Sequence, residues 1–232
     1  QGSVLLLGPT IKYRLRPWRQ MVAICRWLAV ICPSLAAVLA QAGPTATVSC
    51  DTTIGQIDIE IFREWSPKGA DHFLELVQDG WYTDIALFRA VPNFLVQFGI
   101  NTDASMRQKW ERKTIDDDPS QNIAFERGTV SYAGSGPNSR GTHVFFSLGA
   151  IPLGESPWET PFGRVAAHSL EVMDKIYTGY GDMPPWGEGP NPQEINQRGN
   201  SYVREDFPKV DFIKSCKVAT MTSDASVKSD DL

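Results

Sequence analysis

Leu87-Phe-Arg-Ala-Val-Pro-Asn-Phe-Leu-Val-Gln-Phe-Gly99 sets one cation, Arg89, and one amide, Gln97, among apolar and aromatic residues. Pro92 bends the chain between two strand-like halves. Gln97, eight residues after Arg89, therefore falls on the strand beside it.

Upstream, Ala46 to Cys50 and Gly55 to Phe62 alternate in polarity, with Ile57, Ile59 and Ile61 on one side and Gln56, Asp58 and Glu60 on the other. Period two predicts half-buried strands, joined by a turn at Asp51 to Thr53. Ser66-Pro67 supplies an N-cap and a first-turn proline, and Ala70, Phe73, Leu74 and Val77 recur at helical spacing until Gly80 ends the run. His72 on this helix reads as a solvated surface residue.

Downstream lies a polar segment, Asn101 to Asn122. Its Asp116-Asp117-Asp118 lacks the glycine and distant glutamate of a calcium loop and reads as solvated. Gly128 to Ala133 predicts a strand, and the glycine-rich loop Gly134 to Gly141 leads into another from Thr142 to Leu148. That loop is no phosphate cradle: no Lys-Ser/Thr follows its last glycine, Pro137 removes a donor, and a strand rather than a helix comes next. Ile151 to Thr160, with a lone Trp158, reads as a loop, and Phe162 to Val165 as a short strand. Leu170, Val172, Met173, Ile176 and Tyr177 suit a helix. Tyr180 to Pro192 has four prolines and three glycines, too many for a regular element. A second helix is expected from about Gln193 to Phe207, interrupted at Gly199, before a last strand from Val210 to Val218. Strands outnumber helices at hairpin spacing, so one closed antiparallel sheet, which leaves no exposed edge, is the economical architecture.

The 232 residues allow one large domain or two small ones, and 42% hydrophobic content is enough for a core. Residues 1–42 hold Lys12, Arg14, Arg16, Arg19 and Arg26 and no acid, leaving 17 basic against 27 acidic residues and a formal charge of −10 afterwards. That balance, without a Lys/Arg cluster, argues against nucleic acid as a main partner. From Met21, a charged start, an apolar run from Trp27 to Ala40 and Ala40-Gln41-Ala42 give the plan of a signal peptide over about residues 21–42. The run is shorter than the ~20 residues of a stable membrane span. Entry into the secretory pathway is expected, to the ER lumen or beyond, with an organellar transit peptide as the alternative. Cys50 and Cys216 would remain in the mature chain, either joined in an oxidising compartment or as two separate buried thiols. Residues 219–232 read as a disordered polar tail, and its closing Ser-Asp-Asp-Leu loosely resembles a retention address.

The opening stretch, then Gly128-Thr-Val-Ser-Tyr-Ala-Gly-Ser-Gly-Pro-Asn-Ser-Arg-Gly-Thr-His-Val-Phe-Phe146, then Phe162-Gly-Arg-Val165, resembles a cyclophilin-type peptidyl-prolyl cis-trans isomerase. The likeness covers residues 46–218. It implies a mainly β fold, an eight-stranded closed antiparallel barrel capped by two helices, with an external groove for proline-containing polypeptide clients. It implies no cofactor and no metal, and a monomer is expected. Arg89 matches the family's catalytic arginine and Gln97 its glutamine. Phe94, Leu95 and Phe145 match the proline pocket, Ala133 a further pocket position, and Gly134 a groove residue that binds substrate through its backbone. Leu95 replaces methionine, Gly134 replaces asparagine, and His143 stands where glutamine is common. Ser156 to Pro161 is shorter than its counterpart and has no histidine; Trp158 stands in for the family's tryptophan.

The chemistry suits these residues. Amide resonance opposes rotation by ~18–20 kcal/mol. A guanidinium that donates to the prolyl nitrogen binds the twisted amide better than the planar one, and that difference is catalysis. The resemblance therefore implies an isomerase that assists folding or, because Ser156 to Pro161 is altered, a catalytically weak module that binds proline-containing segments.

Overall fold

A computed structural model describes residues 43–222. The expected signal segment and residues 223–232 lie outside the described residues.

The first alternating segments form β1 (Ala46–Thr52) and β2 (Gly55–Ile61), an antiparallel hairpin with Val48 opposite Ile59 and Cys50 opposite Ile57. Ile57, Ile59 and Ile61 are at most 1% exposed, so the apolar phase of the alternation is the inner face. The turn falls at Thr53-Ile54, where the Thr52 hydroxyl donates to the Gly55 carbonyl and Gly55 takes φ +134, a conformation open to glycine. Helix α1 (Pro67–Gln78) buries Ala70, Phe73, Leu74 and Val77 in the same core.

The start of α1 is not capped by Ser66 but from across the chain. Asp118 accepts from the Lys68 and Gly69 amides at 3.2 and 3.0 Å and from the Ser66 hydroxyl at 2.5 Å, and the fully buried Arg140 donates to it at 3.1 Å. The expectation of a solvated Asp116-Asp117-Asp118 loop is thus corrected. Asp116 is exposed, but Asp118 is 3% exposed, because orphan helix amides and a buried guanidinium both need an anion there. His72 is corrected in the same way: it is 5% exposed, with its Nε2 3.0 Å from the Gly141 carbonyl. The polar segment also contains a helix that periodicity did not signal, α2 (Ala104–Trp110), capped by Asp103.

The remaining strands are β3 (Ile85–Ala86), β4 (Arg89–Val91), β5 (Leu95–Phe98), β6 (Thr129–Tyr132), β7 (Val144–Ser147), β8 (Gly163–Val165) and β9 (Phe212–Met221). β9 runs beyond Val218 because Thr220 and Met221 go on pairing with Thr47 and Ala46. Among the described residues three α-helices follow β8: the short α3 (Leu170–Met173), then α4 (Pro192–Arg198) and α5 (Asn200–Asp206), divided at Gly199 with φ +74. α3 supplies Met173 to the core beneath the sheet, where Phe73, Phe98, Phe146 and Phe162 also meet.

The architecture is mainly β, but the closed eight-stranded barrel is corrected. Among the described residues nine strands form one curled sheet in the order β3-β9-β1-β2-β8-β6-β7-β5-β4, and its ladder does not close. The two edge strands, β3 and β4, are consecutive in the chain, so Leu87-Phe88 joins the edges covalently where a hydrogen-bonded ladder would otherwise be needed. The edges are protected by other means. The Ala90 amide in β4 donates to the Gly181 carbonyl, and the Asn200 amide group reaches the Asp84 carbonyl just before β3. Cys50 and Cys216 face each other across β1 and β9 and are joined, with sulfurs 2.01 Å apart.

Candidate active site

The hairpin β4–β5 builds the centre of the site. Its turn closes with the Phe94 amide on the Val91 carbonyl at 3.1 Å; Pro92 fixes φ at the second position and Asn93 takes φ +58 at the third. That turn sets the register Val91 opposite Leu95, Ala90 opposite Val96 and Arg89 opposite Gln97. Cation and amide are therefore direct cross-strand neighbours, and Arg89 Nη1 donates to Gln97 Oε1 at 3.1 Å. Gln97 is 6% exposed, so its carbonyl is held in place, while Arg89 is partly open.

Beside this pair lies an apolar cluster. Leu95 and Phe145 are buried in it with Phe125 and Ile151, and Phe94, Ala133 and Leu153 pack against it while staying partly exposed. Phe125 stacks on Phe145 at 5.8 Å between ring centroids, and the Arg89 guanidinium carbon sits 5.6 Å from the centre of the Phe94 ring. A planar cation thus borders a pocket wall of aromatic and aliphatic side chains. Phe125, Ile151 and Leu153 were missed from sequence; the one signal was the short apolar run Ile123-Ala124-Phe125 between polar neighbours.

Gly134 and Trp158 meet each other instead of joining that cluster. A Cβ on Gly134 would lie 3.1 Å from the Trp158 Cβ, from the Trp158 carbonyl oxygen and from Ser139 Oγ. Trp158 sits on a single 3-10 turn, Pro157–Glu159, where the Glu159 carboxylate accepts from the Gly154 and Ser156 amides. Next to Ala133 a cavity of 210 Å³ opens, walled by Arg107, Glu111, Thr142, His143 and Asn196. Burial holds the His143 imidazole below its ordinary pKa, and its ring meets the edge of Phe88 at 5.9 Å.

Asp182, absent from the sequence-based site, lies against Arg89. Its Oδ1 accepts from Arg89 Nε at 2.7 Å and its Oδ2 from Nη2 at 3.1 Å; the two side chains are 16% and 20% exposed. A guanidinium has five N–H donors. Three are occupied by Asp182 and Gln97, which leaves one on each terminal nitrogen. Among the described residues no group of three His, Cys, Asp or Glu could hold a metal ion, and no helix is long and apolar enough to cross a membrane.

A cation and an amide on adjacent strands, bordering an aromatic pocket on a curled antiparallel sheet, bring the comparisons with known proteins to bear. The model of the cyclophilin type peptidyl-prolyl cis-trans isomerase/CLD family matches residues 47–195, well over half of the chain. The chain belongs to this family of isomerases. It is similar to peptidyl-prolyl cis-trans isomerase CYP18-1 of Arabidopsis thaliana, 32% identical over 142 residues, covering 60% of this chain and 88% of that protein. Human peptidyl-prolyl cis-trans isomerase-like 3 is 32% identical over 133 residues, covering 56% of this chain and 81% of that protein. Among solved structures, a cyclophilin type peptidyl-prolyl cis-trans isomerase of Cryptosporidium parvum aligns with a TM-score of 0.55 at 18% identity, over 76% of this chain and 99% of that one, a likeness of fold. All of α5 and all of β9 lie beyond the residues that the family model matches.

Proposed function

We propose that this isomerase acts on X-Pro bonds of polypeptide clients at the β4–β5 hairpin, with Arg89 as the donor to the prolyl nitrogen. Phe94, Leu95 and Phe145 hold the ring, Gln97 orients Arg89, and Ala133, Gly134 and Trp158 line the groove for the flanking residues. The observation that carries this reading is the direct Arg89–Gln97 hydrogen bond at the rim of the Leu95–Phe145 cluster. As the nitrogen twists out of conjugation it regains a lone pair, and a donor already in position stabilises that state over the planar one. Arginine suits the task because it stays protonated at every working pH.

The test is an exchange assay on an Ala-Pro peptide. Wild type is expected to accelerate exchange, and Arg89→Ala to lose on the order of a hundredfold in rate. Peptide binding without a rate above background would replace the enzyme by a binding module, and an equally fast Arg89→Ala would sink the arginine mechanism.

The same reading sends the protein, as a monomer, to the secretory pathway. Support comes from the charged and apolar order of residues 21–42 and from the Cys50–Cys216 bond, which suits an oxidising compartment. Mass spectrometry of the mature secreted chain is expected to find it beginning near Gly43; retention of residues 21–42 would overturn the assignment.

A further inference from the structure

We propose that Asp182 is a positioning residue for the isomerase reaction: its carboxylate fixes the Arg89 guanidinium so that the two N–H groups left over face the prolyl amide. The inference rests on Arg89 as the donor and adds the element that holds it.

The clamp is built, not incidental. Asp182 engages Arg89 with both oxygens, and its Oδ1 also accepts from the Met183 amide at 2.7 Å, so the carboxylate is itself held. Its backbone is gripped as well: the Gly189 amide donates to the Asp182 carbonyl at 2.8 Å. Gly187 and Gly189 pass so close that a Cβ on either would lie 2.4 or 2.8 Å from that carbonyl oxygen. Immediately before it, Gly181 accepts from the Ala90 amide, the residue next to Arg89 on β4. The loop is then anchored by α4 and α5, whose Ile195, Tyr202 and Val203 bury themselves with Phe88, on the other side of Arg89 in sequence. The segment read from sequence as an irregular connection therefore docks on both neighbours of Arg89 and delivers one carboxylate to it.

Two effects of that carboxylate oppose each other. It draws off part of the positive field that reaches the substrate, and it removes the freedom of a long side chain that would otherwise have to be reordered in each turnover. The second dominates, because a fixed donor needs no reorganisation when the lone pair develops and a misplaced one is ineffective.

Asp182→Asn tests this with an isosteric side chain. It keeps one acceptor for Nε and turns an NH₂ group toward Nη2, which breaks the bidentate grip. The expected result is a fall in kcat on the order of tenfold or more with KM within about twofold. The double variant Arg89→Ala/Asp182→Asn is expected to be no slower than Arg89→Ala alone, a non-additivity that a merely structural role would not produce. Asp182→Ala repeats the cycle as a second variant, and in wild type the Arg89 Nε–H is expected as a slowly exchanging resonance that Asp182→Ala removes. A kcat for Asp182→Asn equal to or above that of wild type, or additive losses in the double variant, would overturn the positioning role alone. A fast Arg89→Ala would overturn it together with the arginine mechanism.

Discussion

The glycine at position 134 is explained by its neighbour. Asparagine at this position would bring a Cβ to 3.1 Å from the backbone and Cβ of Trp158, tighter than ordinary contact. Ser139 on the other side cannot retreat freely, since its hydroxyl accepts from the Ser135 amide and donates to the Gly136 carbonyl. The glycine and the Ser156 to Pro161 turn therefore depend on each other: the turn lies where a side chain would otherwise stand. Gly134→Asn is expected to cost about 1–2 kcal/mol as an overpacking substitution, seen as a lower denaturant midpoint at unchanged slope. An unchanged midpoint would show that the turn yields without resistance.

At the scale of elements, α1 carries a charge that is withheld. Burial, aided by Arg140 and Lys113, keeps His72 below the ordinary imidazole pKa although the Gly141 carbonyl pulls the other way, and burial does the same to His143. In the unfolded chain both bind protons near pH 6.5, so between that pH and their lower folded values the unfolded state binds more protons. Their contribution is complete above about pH 6.5 and is lost as pH falls below it. Asp58 and Asp118 are also held below the usual carboxylate range, against the pull of burial, by their hydrogen bonds, and their contribution fails only in more acid solution. The melting temperature is therefore expected to drop between pH 7.5 and 5.5, with a smaller drop in His72→Gln, whose amide can still donate to Gly141. Equal drops in both proteins would remove His72 from the account.

For the whole molecule, what was legible was local in sequence. The β4–β5 hairpin carries Arg89, Phe94, Leu95 and Gln97 within nine residues, and one proline turn sets their register, so reading the stretch was reading that part of the site. Alternation likewise revealed β1 and β2, and helical spacing revealed α1. What was not legible came from partners far along the chain. Asp182 meets Arg89 across 93 residues, Asp118 caps α1 across about 50, and α2 is too short and polar to signal itself by periodicity. The barrel expectation failed for a physical reason as well: it assumed that only closure could protect the sheet edges, whereas Gly181 and Asn200 cover them.

The bond between Cys50 and Cys216 has a mechanical meaning. β1 and β9 are antiparallel, and the Thr222 amide still donates to the Thr45 carbonyl, so the chain enters and leaves the domain side by side. Tension applied at residues 43 and 222 would peel this ribbon open like a zip, one pair at a time, through Ala46–Met221, Thr47–Thr220, Val48–Val218 and Ser49–Lys217. There it meets a covalent stop. The enclosed chain, a separation of 166 residues that includes Arg89 and everything that holds it, carries none of the load.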